Sequence, residues 1–370
     1  MSSLGHDGIV EDVKITNSYD QTGYNFETQI IHKKDQWNTT IGVDYIDIDI
    51  NEKNRSISYN TFPAEFAEIP DFPFSTGVPI LIDEFLTELD RNTDYRDAYL
   101  YATWNPNTTV STTLAGSYVR YEDGLVDIDG FNPKIGITLS LPSSITIRAA
   151  YFESIVRPFI LRQTIEPTHV NGFNQLFDDQ DGSEIENYGL AFEKQFSPKL
   201  FSGIELISRN IDTFTVDTIA GTKFDAEQDE TIFRSYLLWA PTARFSFGGE
   251  YFFELVDWDS DAEKLDIKTH QVPLQISYFH PNGAFFKLLP TYVKQEFELD
   301  RQGRKDDNFM ITDIELGYRF ANKHGEIRLG VKNLFNESFQ YRDSLFRSTS
   351  LEISPYQPDR VGYLQISLTY

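Results

Sequence analysis

Cysteine is absent from the 370 residues, so neither a disulfide framework nor thiolate chemistry is available. Basic charge is scarce. Against 57 acidic residues stand 32 lysines and arginines, a formal net charge of −25, which leaves no electrostatic footprint for nucleic acid. No run of about twenty apolar residues occurs, so no transmembrane helix is encoded. Residues 1–18 show neither a basic start nor the apolar stretch of a secretory signal. His6, His32, His169, His270, His280 and His324 are scattered without an HExxH or paired spacing, so zinc has no motif to rest on. No GxSxG occurs either. Neither catalysis nor a cofactor is expected.

What the chain has in excess is aromatic: 30 Phe and 20 Tyr lift the aromatic share to 15%. Yet only 40% of residues are hydrophobic and the mean hydropathy is −0.38. That pairing suits a wall with one apolar and one polar face better than a large globular core. Local patterning agrees. Phe245, Phe247, Gly249, Tyr251, Phe253 and Leu255 alternate with Arg244, Ser246, Gly248, Glu250 and Glu254. Ile314, Leu316, Tyr318 and Phe320 oppose Asp313, Glu315, Gly317 and Arg319, and Ile327, Leu329 and Val331 oppose Glu326, Arg328, Gly330 and Lys332. The last stretch sets Gly362, Leu364, Ile366, Leu368 and Tyr370 against Gln365, Ser367 and Thr369. A period of two over such lengths means β-strands with one oily face.

The strands come in pairs joined by short turns rich in Pro, Asn and Gly: KKDQ at 33, NPN at 105, PSS at 142, SPK at 197, PT at 241, HPNG at 280 and NKHG at 322. The other connections, 51–92, 155–183, 211–229 and 335–359, are long and polar. Short turns at one end and long loops at the other describe an all-β, antiparallel transmembrane β-barrel, with turns in the periplasm and loops outside. Trp37, Trp104, Phe196, Trp239, Phe245, Phe279 and Phe320 sit beside the short turns, as an aromatic girdle at one interface requires. A soluble sandwich also alternates, but its loops would not divide so cleanly, nor would it carry charge at mid-strand. Counted from Val10 there are about sixteen strands, the last pairing with the first to close the wall. Residues 1–370 then form one outer-membrane barrel domain, with 1–8 a disordered lead-in.

The mid-strand charges Arg148, Glu193, Glu205, Arg209, Glu250, Glu254, Asp313, Glu315, Arg319, Arg328 and Lys332 are expected to line the lumen, because charge on the lipid face costs roughly 2–4 kcal/mol at the midplane. Their opposite signs across the NKHG hairpin favour an ion-pair ladder there, at about 0.2–1 kcal/mol per pair. Glu193, Glu205, Glu250 and Glu254 are left to set selectivity. The run Asp178, Asp179, Asp181 and Glu184 around Gly182 offers oxygen ligands suited to Ca²⁺, but without EF-hand spacing; a solvated acidic loop is the simpler reading, and no metal is expected.

The segment GVKNLFNESFQYRD, with PYQPDRVGYLQISLTY after it, resembles the C-terminus of TonB-dependent outer-membrane receptors, where a V-x-NLF-D/N strand end precedes a loop, a Pro…Arg pair and the closing strand. The matching residues are Val331, Asn333, Leu334, Phe335 and Asn336, then Pro358 and Arg360. Asn333 is expected on the outward register where the strand leaves the bilayer, with Leu334 and Phe335 folding over the rim. The aromatic end at Tyr370 is similar to the signal read by the barrel-assembly machinery. The resemblance implies solute uptake across the outer membrane, contact with lipid and lipopolysaccharide, and energy from an inner-membrane complex coupled through a plug domain that this chain lacks. This chain would then be the C-terminal two-thirds of a receptor barrel of about 22 strands. Two other readings stay open: a passive or polysaccharide-export pore fed by a periplasmic helical-repeat module, whose barrels the segment Arg157–Glu184 resembles, and a surface adhesin that transports nothing.

Overall fold

A computed structural model describes residues 2–4, 10–61, 79–158, 164–175, 179–217, 222–260, 264–299, 303–321, 324–339, 341 and 359–368. The elements are all strands: β1 (Ser2–Leu4), β2 (Val10–Lys34), β3 (Trp37–Thr61), β4 (Ile80–Trp104), β5 (Val110–Glu122), β6 (Asp127–Leu141) and β7 (Ile145–Ile155); the short pair β8 (His169–Val170) and β9 (Phe173–Asn174); then β10 (Glu184–Ser197), β11 (Leu200–Asp217), β12 (Thr222–Trp239), β13 (Phe245–Ser260), β14 (Lys264–Phe279), β15 (Ala284–Leu299), β16 (Gly303–Arg319), β17 (Gly325–Lys332) and β18 (Val361–Leu368). All but β8 and β9 form a single antiparallel meander in chain order, β10 pairing directly with β7.

Six of the seven short turns fall where the sequence places them, and the seventh, NKHG, lies partly outside the described residues. At the first, Lys34 pairs with Trp37 across Asp35 and Gln36, and Asp35 takes the positive φ (49°) that such a tight reversal needs. Beyond the opposite end the strands run further than expected. Residues 51–61 and 80–92, read as loop, continue β3 and β4 with one register slip between Ser58 and Tyr59, and 211–217 and 222–229 continue β11 and β12 in register. The ladder needs only backbone partners, so it persists where the outer face has turned polar.

The outer face shows where the lipid ends. On β3 the outward side chains Trp37, Ile41, Val43 and Tyr45 give way to Asp47, and on β4 Trp104, Leu100 and Ala98 give way to Arg96. From Trp37 to Tyr45 is about 26 Å along the strand, and roughly 20 Å in height at a tilt of about 40°, the thin slab of an outer membrane. The lower rim carries the expected girdle: Trp37 stacks on Trp104 (5.9 Å), Trp239 on Phe247 (5.3 Å), and Phe245 lies against Tyr278 (5.0 Å), with Phe196 exposed beside them. Phe320 packs edge-on against the outward Tyr318. Phe279 departs from expectation. It occupies the register opposite to Tyr278, meets the buried Phe285 and lies beneath the Arg319 guanidinium, so it belongs to the inner face. The upper rim is a belt of tyrosines that give their hydroxyls to carboxylates just above the lipid: Tyr45 to Asp47 (3.0 Å), Tyr188 to Glu186 (3.0 Å), Tyr118 to Asp129 and Tyr151 to Glu153. An amphipathic ring satisfies both media at that height.

Among the described residues the sheet has sixteen strands, fifteen of them from Val10 on, where Val10–Lys34 is one strand of 25 residues. Ser2–Leu4, expected as disordered lead-in, pairs instead with Val10–Asp12, above the lipid-facing band. Among the described residues no pairing joins β18 to β2. Both strands enter from the long-loop side and run in the same direction, so direct contact between them would be parallel; the antiparallel wall is not closed by these two edges alone.

Candidate functional site: a hairpin folded into the lumen

Of the connection between β7 and β10, the described residues do not stand out into solvent. Its described residues, 156–158, 164–175 and 179–183, turn inward and lie along the inner face of the sheet. At its tip Val170-Asn171-Gly172-Phe173 forms a two-residue hairpin, with φ of 46° at Asn171 and 89° at Gly172. Both central residues need φ > 0 in such a turn, which Asn-Gly supplies at least cost. Val170 and Phe173 pack on Phe152 and Ala191, burying apolar area worth about 1.5–3 kcal/mol per large side chain. The wall is bare where the tip lands: a Cβ at Gly136 would come within 2.5 Å of the Asn171 Oδ1, and one at Gly189 within 2.5 Å of the Phe173 ring.

Polar contacts show how far the segment reaches. The Asn171 Nδ2 donates to the Ser111 carbonyl (3.2 Å) and the Thr138 hydroxyl (3.0 Å), beside the short-turn ends of β5 and β6. In the other direction the Arg157 guanidinium sits 2.5 Å from both Glu27 on β2 and Asp44 on β3, and donates to Thr164 (2.6 Å); the Ile165 amide donates to Glu27 (2.7 Å). β2 is five strands from β7, about 24 Å around the wall. Glu166 accepts from the Tyr101 hydroxyl (2.6 Å) with the Lys134 ammonium 3.5 Å away, and Lys134 donates to Gln175 (2.8 Å). The return limb is tied down by Ser183 to Thr213 (2.7 Å) and by Asp179 to Arg209. The segment therefore spans the lumen from β2 to β11 and from the extracellular mouth almost to the periplasmic rim.

Above it the mouth is filled as well. Ile46, Ile48, Tyr95, Val119, Tyr121, Val126, Ile155 and Phe214 form an apolar core on the inner face. On the far side, residues after β17 bend in: Phe339 stacks on Phe309 (4.2 Å), and the Tyr341 hydroxyl accepts from Gln271 (2.8 Å).

The charges expected to line the lumen are placed on the inner face of the sheet, most of them in ion pairs. Arg148 bridges Glu193 (3.2 Å) and Glu205 (3.1 Å), with the Tyr236 hydroxyl also on Glu193 (2.8 Å). Arg234 holds Glu250 through two bonds of 2.7 and 2.9 Å. Lys287 and Tyr363 hold Glu315 (2.7 and 3.0 Å), and Arg319 and Arg328 share Glu326. Glu254 is buried on the inner face of β13, and Lys332 lies exposed at the end of the same ladder. The glutamates left to set selectivity are thus largely drawn into the ion-pair ladder: Arg148, shared by two, and Arg234 make ion pairs with three of the four. Arg209 is not a water-facing pore residue. It is 1% exposed, locked between Asp179 and Glu230 with Asn187 on its Nε (3.2 Å). That engages Asp179, so the acidic run does not converge; Asp181 is half-buried, Glu184 points outward, and Asp178 lies outside the described residues. Among the described residues no three such side chains are grouped to hold a metal.

The closing motif also finds a different use. Asn333 does not face lipid: it is buried, at φ 48°, with its amide N–H on Asp313 (2.8 Å) and its side chain bonded both ways to Glu337 (2.9 Å each). Asn336, also left-handed, accepts from the Arg360 amide (2.9 Å), so the motif ties the end of β17 to the start of β18. Leu334 donates its amide to Thr312 and Phe335 is exposed at the rim, while Tyr370 and Pro358 lie outside the described residues.

Sequence reasoning missed Glu27, Asp44, Asp97, Tyr101, Lys134, Arg157 and Glu166. The one local signal was Asn171-Gly172 between Val170 and Phe173, a hairpin turn inside what read as a loop.

An all-β wall with a lipid-facing band between two aromatic rims is an integral outer-membrane β-barrel architecture. No family model matches the chain, and no curated protein matches its sequence. Solved structures do match: the copper transporter OprC (12% identity, TM-score 0.63, 98% of this chain and 61% of that one), the ferric citrate transporter FecA (15%, 0.55, 99% and 56%) and the siderophore receptor PirA from Acinetobacter baumannii (11%, 0.54, 100% and 61%). This chain spans about three-fifths of the length of these proteins. Its fold is that of the TonB-dependent receptor barrel, as the closing motif implied.

Proposed function

We propose that the chain forms most of the wall of an outer-membrane receptor that takes up a small solute, energised from the inner membrane through a segment outside this chain. The observation that carries this reading is the hairpin of residues 164–175 lying down the lumen. A lumen closed by its own extracellular connection, and walled by paired charges, suits passage that a ligand must trigger. It does not suit a standing pore for polymer, and a merely adhesive barrel has no use for a loop withdrawn from the surface. The similar solved structures are transporters and receptors, which supports binding and transport rather than catalysis. The acidic upper rim would meet lipopolysaccharide, and the last strand the assembly machinery.

The test is electrical. The protein reconstituted in a planar bilayer should be silent under moderate voltage, and removal of residues 164–175 should produce discrete conductance steps. A large steady current from the unaltered protein would overturn the reading in favour of a passive or export pore.

A further inference from the structure

We propose that Glu27, Asp44 and Asp97 form a cradle for the cationic group, a guanidinium or ammonium, of a ligand entering the lumen, and that Arg157 occupies this cradle in the resting protein. The inference rests on the uptake reading for the ligand's route; the cradle itself is a property of the wall.

The three carboxylates stand side by side. Glu27 is the register partner of Asp44, and Asp44 of Asp97, across β2, β3 and β4 on the inner face. Neighbouring strands are about 4.8 Å apart, and like charges directly opposite each other are destabilising. Such a row needs a cation. Arg157 supplies one to two of its members, 2.5 Å from Glu27 and 2.5 Å from Asp44, with the guanidinium 5.7 Å from the centre of the Tyr95 ring. Arg157 is within ion-pair distance of these two and makes no ion pair with Asp97. Asp97 is 5% exposed, its Oδ1 makes no hydrogen bond, and it lines a small, partly open cavity of about 30 Å³ together with Tyr95, Lys134, Arg157 and Glu166. The Asp44 Oδ1 is also without a hydrogen bond. The cavity has room for about one water and little more.

The charge balance makes the same point. The wall here carries Glu27, Asp44, Asp97 and Lys134 among the neutral Tyr95, Tyr99 and Tyr101. Around the cavity the described residues of the segment add one cation, Arg157, and two anions, Glu166 and the Arg209-paired Asp179, so they do not relieve the excess of negative charge. A permanent strut would be expected to neutralise its own socket. A ligand cation that reached Asp97 as well as Asp44 would satisfy what Arg157 leaves unsatisfied, and would compete with it for the same oxygens. Binding would release the segment's link to β2 and β3 while Asn171, Asp179 and Ser183 still held its other parts.

The test is chemical rescue in the full chain, purified in detergent, with methylguanidinium as probe and neutral methylurea as control. Arg157→Ala should raise the rate of proteolytic cutting within residues 156–183. Methylguanidinium should restore protection saturably, methylurea should not, and adding Asp97→Asn should weaken the rescue by about tenfold or more. Equal effects of the two probes, or a rescue indifferent to Asp97→Asn, would overturn the proposal. Should Arg157→Ala fail to fold, judged by loss of heat-modifiable migration on gels, Arg157→Gln enters the same titration, and direct calorimetric binding of methylguanidinium to the unaltered protein must then be weaker than to that variant. Failure of the uptake reading would appear separately, as conductance of the unaltered protein, and would leave the binding result standing.

Discussion

Replacing Arg209 with methionine tests whether the lumen is as dry as its geometry implies. The side chains are similar in volume, so the substitution removes charge and hydrogen bonds while leaving little cavity. Arg209 is held by Asp179 and Glu230, whose side chains are 1% and 2% exposed, and by Asn187. Without the guanidinium two carboxylates remain in a low-dielectric interior with their main cation gone. Breaking a buried ion pair from one side costs about 3–5 kcal/mol, because the stranded charge keeps its full desolvation penalty. That range corresponds to roughly a 150- to 5,000-fold loss in the folding equilibrium constant. Urea unfolding of the detergent-solubilised protein, followed by tryptophan fluorescence, measures it. The triple change Arg209→Met, Asp179→Asn, Glu230→Gln should recover most of the loss, since no ion is then left unpaired. The single changes should also separate: Asp179→Asn loosens the return limb of the folded-in segment, Glu230→Gln the β11–β12 wall. A cost below about 1 kcal/mol for Arg209→Met, or no recovery in the triple variant, would mean that water reaches these groups and that the lumen is not filled.

Other outcomes follow from the same geometry. Gly189→Ala should cost about 1–3 kcal/mol by pressing on the Phe173 ring, and should raise protease access to residues 164–175 without unfolding the wall. Leu100→Arg, midway between Trp104 and Arg96 on the lipid face, should cost about 2–4 kcal/mol in a bilayer, whereas Leu81→Arg, on the extension above the lipid, should be nearly neutral; equal costs would misplace the band. Gly172→Val should destabilise the tip, because φ near +89° is hostile to a β-branched residue, and hydrogen exchange at 169–174 should rise. On the extracellular extension, the Lys53 ammonium 2.5 Å from Glu88 holds that carboxyl below its ordinary value of 4.5. A depressed folded-state value stabilises above the ordinary value and loses its effect as pH falls through the lowered one. The melting difference between the protein and Glu88→Gln should therefore be present at neutral pH, shrink as acid is added, and be reduced by salt, since the pair is exposed.

Much of the wall was legible because strand and turn signals are local. Phe245 to Leu255 alternates by itself, and Pro-Asn-Gly at 281–283 ends a strand whatever surrounds it. The strand extensions over 51–61 and 80–92 were not legible, since their stability comes from partners aligned through distant backbone and not from an apolar face. Asn333 was misplaced for a related reason. Period-two reasoning puts it outward only if the strand continues, whereas its left-handed backbone ends the strand there and turns the amide inward. Phe279 was counted with the girdle by its nearness to a turn, when one step of register sends it to the other face.

By itself, then, the order of residues determined that this protein is an antiparallel sheet, which face meets lipid, at which end the strands are joined tightly, and that charge belongs inside. Each of these depends on neighbours a few positions apart. Only the tertiary structure decided what the inside contains. That Glu27, Asp44 and Asp97 stand in a row, that Arg157 arrives there from 130 residues beyond Glu27, and that the segment after β7 lies in the lumen depend on the register of strands far apart in the chain. Register is a property of pairs of strands and of the wall they curve into, and no single stretch of sequence carries it.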